Sequence, residues 1–396
     1  MRVLIALCVG IIGALALVGW EQRQSLEREH PQEPTFEVGS LLSEDSAGFS
    51  PADRVVEFRF PADHGPHPTF RTEWWYLTGN LVADSGRRFG YQLTFFRRAL
   101  APPDGGPERA SRFATRQIYM AHLAISDLQN DKLYASERFS RAALELAGAK
   151  AEPLEVWLED WFLRARAAPG FEAALQAQEP EAGLELRVAS SRPIVLQGDR
   201  GLSAKSSDGS SASYYYSLTR LQTQGELRLG EERFAVTGTS WLDREWSSQG
   251  LARDQSGWDW FALQLSDGRD LMWYQLRDLQ GGKSHASGVL VQADGSYRSL
   301  GPESLRLSVE DHWQSRKSGV RYPSGWRLQL AEEQLDLHVV PRAANQELDL
   351  GVRYWEGAVS VRDSAGILGE GYVELTGYGP QGATAYRGSR SPLHSR

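Results

Sequence analysis

Two histidines in a proline-stiffened loop, Asp63-His64-Gly65-Pro66-His67-Pro68, stand shortly before the acidic and aromatic run Glu73-Trp74-Trp75-Tyr76. Imidazoles so placed invite a metal, with His122 of Met120-Ala121-His122-Leu123 as a third ligand from a strand. Zinc asks for three or four such ligands and a supporting shell of hydrogen bonds. The spacing of the pair, and the prolines that follow Gly65 and His67, exclude the helical two-histidine arrangement of zinc hydrolases, because a residue before proline is driven to extended geometry. The only cysteine is Cys8 and the other histidines are scattered. The loop therefore reads as a stiffened entrance in which His64 and His67 are hydrogen-bonding rim groups, and no metal or other cofactor is expected.

The second candidate is Ser240-Trp241-Leu242-Asp243-Arg244-Glu245-Trp246-Ser247-Ser248. In an extended chain Trp241, Asp243 and Glu245 share one face, and Leu242, Arg244 and Trp246 the other. Two carboxyls beside indoles suit a general acid and base, since apolar surroundings and a neighbouring like charge both raise a carboxyl pKa. The competing reading is Arg244 bridging carboxylates at a rim between two domains. Glu356, Glu370 and Glu374 fall in glycine-interrupted closing strands and are read first as structural.

These groups must be positioned by strands. In the run after the loop, Glu73, Trp75, Leu77 and Gly79 face one side and Trp74, Tyr76, Thr78 and Asn80 the other, so neither side is purely wet. That fits a barrel stave with a ligand-lined side, although aromatics at this spacing also fit plain core. Short aromatic and β-branched runs recur from Val55 onward between turn signals such as Asp84-Ser85-Gly86, Asp208-Gly209, Asp267-Gly268 and Asp294-Gly295. Leu154–Trp161 alternates as a strand would, with a helix still open there; Ala165–Gln178 is the likeliest local exception.

An internal comparison points to duplication. The hairpin Glu73–Leu81, turn, Tyr91-Gln92-Leu93 resembles Asp259-Trp260-Phe261-Ala262-Leu263, turn, Tyr274-Gln275-Leu276. The expected architecture is all-β: two consecutive antiparallel barrels, residues 55–225 and 226–385. Ahead of them lie an apolar segment, residues 1–20, and a polar tether, residues 21–54. The apolar run Val3–Trp20 looks like an export signal, either cleaved or kept as a single membrane anchor, and it is the only membrane attachment expected.

Composition narrows the function. The 396-residue chain has 39 glycines, 13 tryptophans and a formal net charge of −8, without a concentrated basic face. Nucleic-acid binding is not expected. No glycine-rich phosphate loop, nucleophile elbow or EF-hand loop is present.

The stretch Phe60–Leu81, FPADHGPHPTFRTEWWYLTGNL, resembles the AttH family, lipocalin-like proteins grouped with hydroxyneurosporene synthase and labelled carotenoid 1,2-hydratase-like or predicted secreted hydrolase. The likeness continues through Tyr91–Leu100, Met120–Asp127, Ala212–Leu221, Ser240–Ser248, Gly257–Leu265 and Gly371–Tyr378. It implies two lipocalin-like barrels and an apolar pocket near their interface that takes a small hydrophobic molecule. It also implies a periplasmic protein, released or anchored, with an ABC-type permease as a partner. Hydratases of the group protonate an alkene and let water add. They carry a histidine and a tryptophan in the stretch matching Asp243–Trp246 and an aspartate in the following return strand. Here Trp246 matches, Arg244 stands at the histidine and Gln275 at the aspartate, leaving Asp243 or Glu245 as the acid. Under either function the expected ligand-facing residues are His64, His67, Glu73, Trp74, Trp75, Tyr76, His122, Arg244, Trp246, Trp260, Tyr274 and Gln275. The leading expectation is an exported binder of a lipid- or isoprenoid-like molecule; the alternative is a hydro-lyase acting on an apolar polyene, and a hydrolase follows from the label alone.

Overall fold

The computed structural model describes residues 46–103, 115–166, 170–190, 192–252, 254–363 and 366–379. The apolar run Val3–Trp20 and most of the expected tether lie outside the described residues.

All the long elements are strands. The first sheet contains β1 (Thr72–Ala83), β2 (Arg88–Ala99), β3 (Gln117–Asp127), β4 (Lys132–Arg141), β5 (Ala147–Ala151), β6 (Leu154–Leu158) and β7 (Trp161–Ala165). It continues with β8 (Phe171–Gln178), β9 (Ala182–Ser190), β10 (Val195–Leu196), β11 (Leu202–Ala204), β12 (Ala212–Leu229) and β13 (Glu232–Ser247). The second contains β14 (Gln255–Leu265), β15 (Asp270–Asp278), β16 (Lys283–Val291), β17 (Tyr297–Leu300) and β18 (Arg306–Gln314). It is completed by β19 (Arg321–Leu330), β20 (Leu335–Pro341), β21 (Glu347–Asp349), β22 (Arg353–Asp363) and β23 (Gly366–Thr376).

Both sheets are antiparallel and share one plan. The first runs β4-β3-β2-β1-β13-β12-β9-β8-β7-β6-β5, with β10 and β11 on β12; the second runs β17-β16-β15-β14-β23-β22-β20-β19-β18, with β21 on β22. In each, the opening strand pairs with the last, so the sheet curls around its own apolar core as a lipocalin-like barrel. Side chains tie the β4 edge of the first sheet to β7: the Arg138 guanidinium of β4 lies 4.7 Å from the Trp161 ring of β7. The matching hairpins β1–β2 and β14–β15 turn at Gly86 and Gly268, whose φ values of +84° and +92° admit glycine without strain.

The division between barrels differs from the expected 225/226. Strand β12 crosses that position and hairpins into β13, which pairs with β1 along its length, from Thr72↔Ser247 to Ala83↔Val236. The sheets change between Ser247 and Gln255. Ser240–Ser248 therefore belongs to the closing strand of the first barrel, not to the rim of the second. The reason is topological: the strand that closes a barrel comes last in its sequence, immediately before the next barrel begins. In the anticipated exception Ala165 ends β7 and Phe171–Gln178 form β8, which alternates buried and half-buried positions as a sheet with one covered face must.

Candidate functional site between the barrels

The faces of β1 separate as the alternation requires. Trp75, Leu77 and Leu81 enter the core of the first barrel, where a fully buried large apolar side chain contributes about 1.5–3 kcal/mol. Tyr76 points the other way and joins Trp260 and Tyr274 in a cluster between the barrels, with Trp74 packed against it.

At one end of the first barrel the loop 59–71 is held by a fully buried ion cluster. Glu73 accepts from Arg97 and, at 2.6 Å, from Arg244 Nη2, and all three side chains are sealed from solvent. Arg97 also donates to the carbonyls of His67 and Phe70 at 2.9 and 2.8 Å, and Arg244 Nε to that of His64 at 3.2 Å. Burial alone would raise the Glu73 carboxyl, but Arg97 and Arg244 hold it well below its ordinary range. The Arg244 guanidinium lies 3.8 Å from the Trp75 ring centroid. The second barrel repeats the device with Asp259, which accepts from Arg277, from Gln275 Nε2 at 2.8 Å and from the Tyr378 hydroxyl at 2.9 Å.

This sorts the expected ligand residues. His64 hydrogen bonds to the Tyr216 hydroxyl at 2.6 Å and is held neutral, its pKa pushed down to about 4 by burial and by Arg244. His67 stacks on Trp246 at 3.7 Å and receives Glu73 on its backbone N–H. None of His64, His67, Trp75, Arg244, Trp246 and Gln275 lines the cavity: the two histidines pack in the loop before β1, and the other four lie on the barrel-interior or loop-packing side of their strands. Glu73 touches the cavity margin but is committed to its arginines. Arg244 and Gln275, which replace the expected histidine and aspartate, therefore do not face the ligand space.

That space is a cavity of about 190 Å³ between the outer faces of the two barrels. The first barrel contributes Trp74, Tyr76, His122, Tyr215, Asp243 and Glu245, and the second Trp258, Trp260, Tyr274, Tyr354, Glu356 and Glu374. An apolar cavity of roughly 150 Å³ holds a benzene ring, so this one is large enough for a small molecule or one end of a longer one. His122 bridges the Tyr354 hydroxyl at 2.7 Å and Glu137 at 2.9 Å. The three imidazoles thus take different side-chain partners, His64 with Tyr216, His67 with Asp63 and Glu73, and His122 with Tyr354 and Glu137.

The two candidate acids differ in kind. Glu245 pairs with Lys205 at 2.9 Å, and that ammonium also lies 4.4 Å from the Tyr274 ring. Among the described residues Asp243 forms no salt bridge. Its Oδ1 accepts from Ser217 Oγ at 2.5 Å and Trp241 Nε1 at 2.7 Å, and its Oδ2 from the Tyr215 hydroxyl at 2.5 Å. Trp260 Nε1 in turn donates to that hydroxyl at 3.2 Å. Burial lifts Asp243 to about 7 despite the three donors, which leaves a carboxyl able to give or take a proton near neutrality.

A second pair of acids was read from the sequence as structural. Glu356 and Glu374 sit opposite each other on β22 and β23 and both line the cavity, Glu356 buried and Glu374 half-buried. Burial raises both carboxyls, and each carboxylate further disfavours ionisation of its neighbours. The Tyr76 hydroxyl donates to Glu356 Oε1 at 2.6 Å. The signal available in the sequence was the shared parity of Tyr354, Glu356 and Glu374 with the cavity face, which becomes readable only once β22, β23 and β14 are known to be adjacent.

Comparison with known proteins agrees with this architecture. A protein described as a candidate AttH from Nitrosomonas europaea is 36% identical, with 84% of this chain and 100% of that one covered and a TM-score of 0.75. Kievitone hydratase from Nectria haematococca shares the fold at 14% identity, 86% and 98% coverage and a TM-score of 0.61. CghA, solved with Sch210972, does so at 12% identity, 86% and 97% coverage and a TM-score of 0.53. No curated protein matches at a significant level. The AttH-like family profile matches residues 51–378, both barrels from the first loop to the last strand, and the chain belongs to that family.

Proposed function

We propose that the protein binds a hydrophobic, lipid- or isoprenoid-like molecule in the inter-barrel cavity and acts on it by acid catalysis. The observation that carries the reading is Asp243, a carboxyl with no salt bridge among the described residues, lifted toward neutrality in a chamber walled by Trp74, Tyr76, Trp258 and Trp260. Such a chamber favours an apolar guest. A half-protonated acid inside it suits addition of water to an alkene.

In that reaction the Asp243 proton forms a C–H bond with the π electrons of the alkene, leaving a cation on the adjacent carbon. Indole faces stabilise the cation. Water attacks it, and the oxonium proton returns to the Asp243 carboxylate, so one water is added and no cofactor is consumed. Glu245 does not serve as the acid in this scheme, since its carboxyl is engaged by Lys205 at 2.9 Å. The fold is one that a protein named as a hydratase also uses. Export by the N-terminal apolar run and work beside an ABC-type permease belong to the same proposal.

The test is direct. Native mass spectrometry of protein from its own source should show a co-purifying apolar molecule. Incubation with isoprenoid alkenes should give products heavier by one water, and Asp243→Asn should abolish them. A chain that always emerges without cargo and converts no alkene in the panel would refute the reading.

A further inference from the structure

The cavity is not uniformly apolar. At the corner where β1 and β2 of the first barrel meet β22 of the second, five polar side chains form two hydrogen-bonded sets. The Tyr76 hydroxyl donates to Glu356 Oε1 at 2.6 Å, and Gln92 Nε2 donates to Thr94 Oγ1 at 2.6 Å and to the Tyr354 hydroxyl at 3.3 Å. Tyr354 and Glu356, two residues apart on β22, share the face that looks into the cavity.

Each side of this corner leaves one oxygen over. Glu356 Oε2 and Gln92 Oε1 are both sealed from solvent and have no hydrogen-bond partner in the protein, although both residues line the cavity. Glu356 is 2% exposed and Gln92 1%. Leaving a buried polar atom unpaired is costly, and a site built with such atoms discriminates strongly against a guest that cannot pair them. A bare hydrocarbon would leave both oxygens orphaned. A hydroxyl has the chemistry both atoms lack, a donor for Gln92 Oε1 and an acceptor for the carboxylic O–H of Glu356.

We infer, on the footing of the hydrophobic-ligand reading above, that the guest of this cavity is an oxygenated hydrophobe whose hydroxyl is held by Glu356 and Gln92, rather than a plain polyene. Burial and the facing Glu374 keep Glu356 protonated and so able to donate. Asp243 lies on the other barrel's wall of the same chamber. The anchor and the acid are therefore separate groups, and the oxygen function fixes which part of the apolar skeleton is presented to Asp243.

The experiment uses the full chain and two probes of one skeleton, farnesol and farnesene, titrated against the fluorescence of the lining tryptophans. The wild type should bind farnesol on the order of tenfold more tightly, the worth of about one net hydrogen bond. Glu356→Leu and Gln92→Leu should each erase most of that preference, while Glu356→Gln, which can still donate and accept, should keep it. Circular dichroism melts establish that each variant is folded, and Gln92→Leu stands as the test if Glu356→Leu does not fold. Equal affinities in the wild type, or tighter farnesene binding, would overturn the inference and leave the hydrophobic-ligand reading in place. Binding of neither probe would overturn both.

Discussion

The hydroxyl of Tyr76, on the first strand of one barrel, donates to Glu356 on the penultimate long strand of the other across 2.6 Å. Residues 280 positions apart thus form a single buried hydrogen bond, and that bond joins the two barrels at the site itself. Burial and the adjoining Glu356 and Glu374 carboxyls push the Tyr76 phenol well above its ordinary range, so it remains a donor at any physiological pH. Replacing Tyr76 with Phe leaves a buried carboxyl without its donor and should cost about 1–3 kcal/mol in urea unfolding. Unchanged stability would show that the bond contributes nothing net.

Asp243 makes stability fall as pH rises. Burial raises its folded pKa from an ordinary 3.8 to about 7, so between those values the folded chain holds a proton that the unfolded chain has released. The associated stability is full below 3.8 and is lost as pH climbs through about 7, with an upper bound on the order of 4 kcal/mol. Asp243→Asn should flatten that slope in denaturation curves taken across the window. Identical slopes in variant and wild type would place the titration elsewhere.

The same substitution separates binding from chemistry. Asp243→Asn should leave affinity for an apolar ligand nearly intact and lower the rate of hydration by on the order of 10²–10⁴. Glu245→Gln, which removes the partner of Lys205, should alter the rate far less. Comparable losses at both positions would assign the acid role to the pair.

Glu73 is a stability residue with the opposite pH sign. Its carboxyl is held down by Arg97 and Arg244 against the effect of burial, so its contribution is present above the ordinary 4.5 and is lost as pH falls. Glu73→Gln strands two buried guanidiniums and should destabilise the fold by about 3–5 kcal/mol in urea at neutral pH. A loss below about 1 kcal/mol would mean that the carbonyls of the loop satisfy the arginines without it.

Gly90 tests whether the site depends on the seam between barrels. A Cβ there would meet the Tyr372 hydroxyl at 2.7 Å and Ala358 Cβ at 2.9 Å, both on the opposite barrel. Gly90→Val should force the faces apart at a cost of about 1–3 kcal/mol and weaken ligand binding, with both barrel cores still protected in hydrogen exchange. Undiminished affinity would locate binding away from the seam.

Much of this was legible in the sequence, and the reasons are local. Alternation split Asp243 and Glu245 from Arg244 and Trp246 correctly, because a strand leaves side chains no other choice. The hairpins at Gly86 and Gly268 were visible because their turn residues and flanking aromatics repeat. Long-range pairing was not legible: β1 beside β13 joins positions more than 150 apart, and nothing in Ser240–Ser248 says which barrel it closes. Nor did Glu356 and Glu374 stand out. A strand buried on both faces looks the same whether its second face meets a core or a ligand, so acids between glycines read as structural.

The ion clusters around Glu73 and Asp259 and the packed cores above them leave each barrel's interior occupied by the protein itself. What the chain offers to a guest lies outside both barrels and is walled by surfaces that a solitary barrel would have to present to water. The proposed site thus exists only where the two barrels face each other, and either barrel by itself would supply half of its wall.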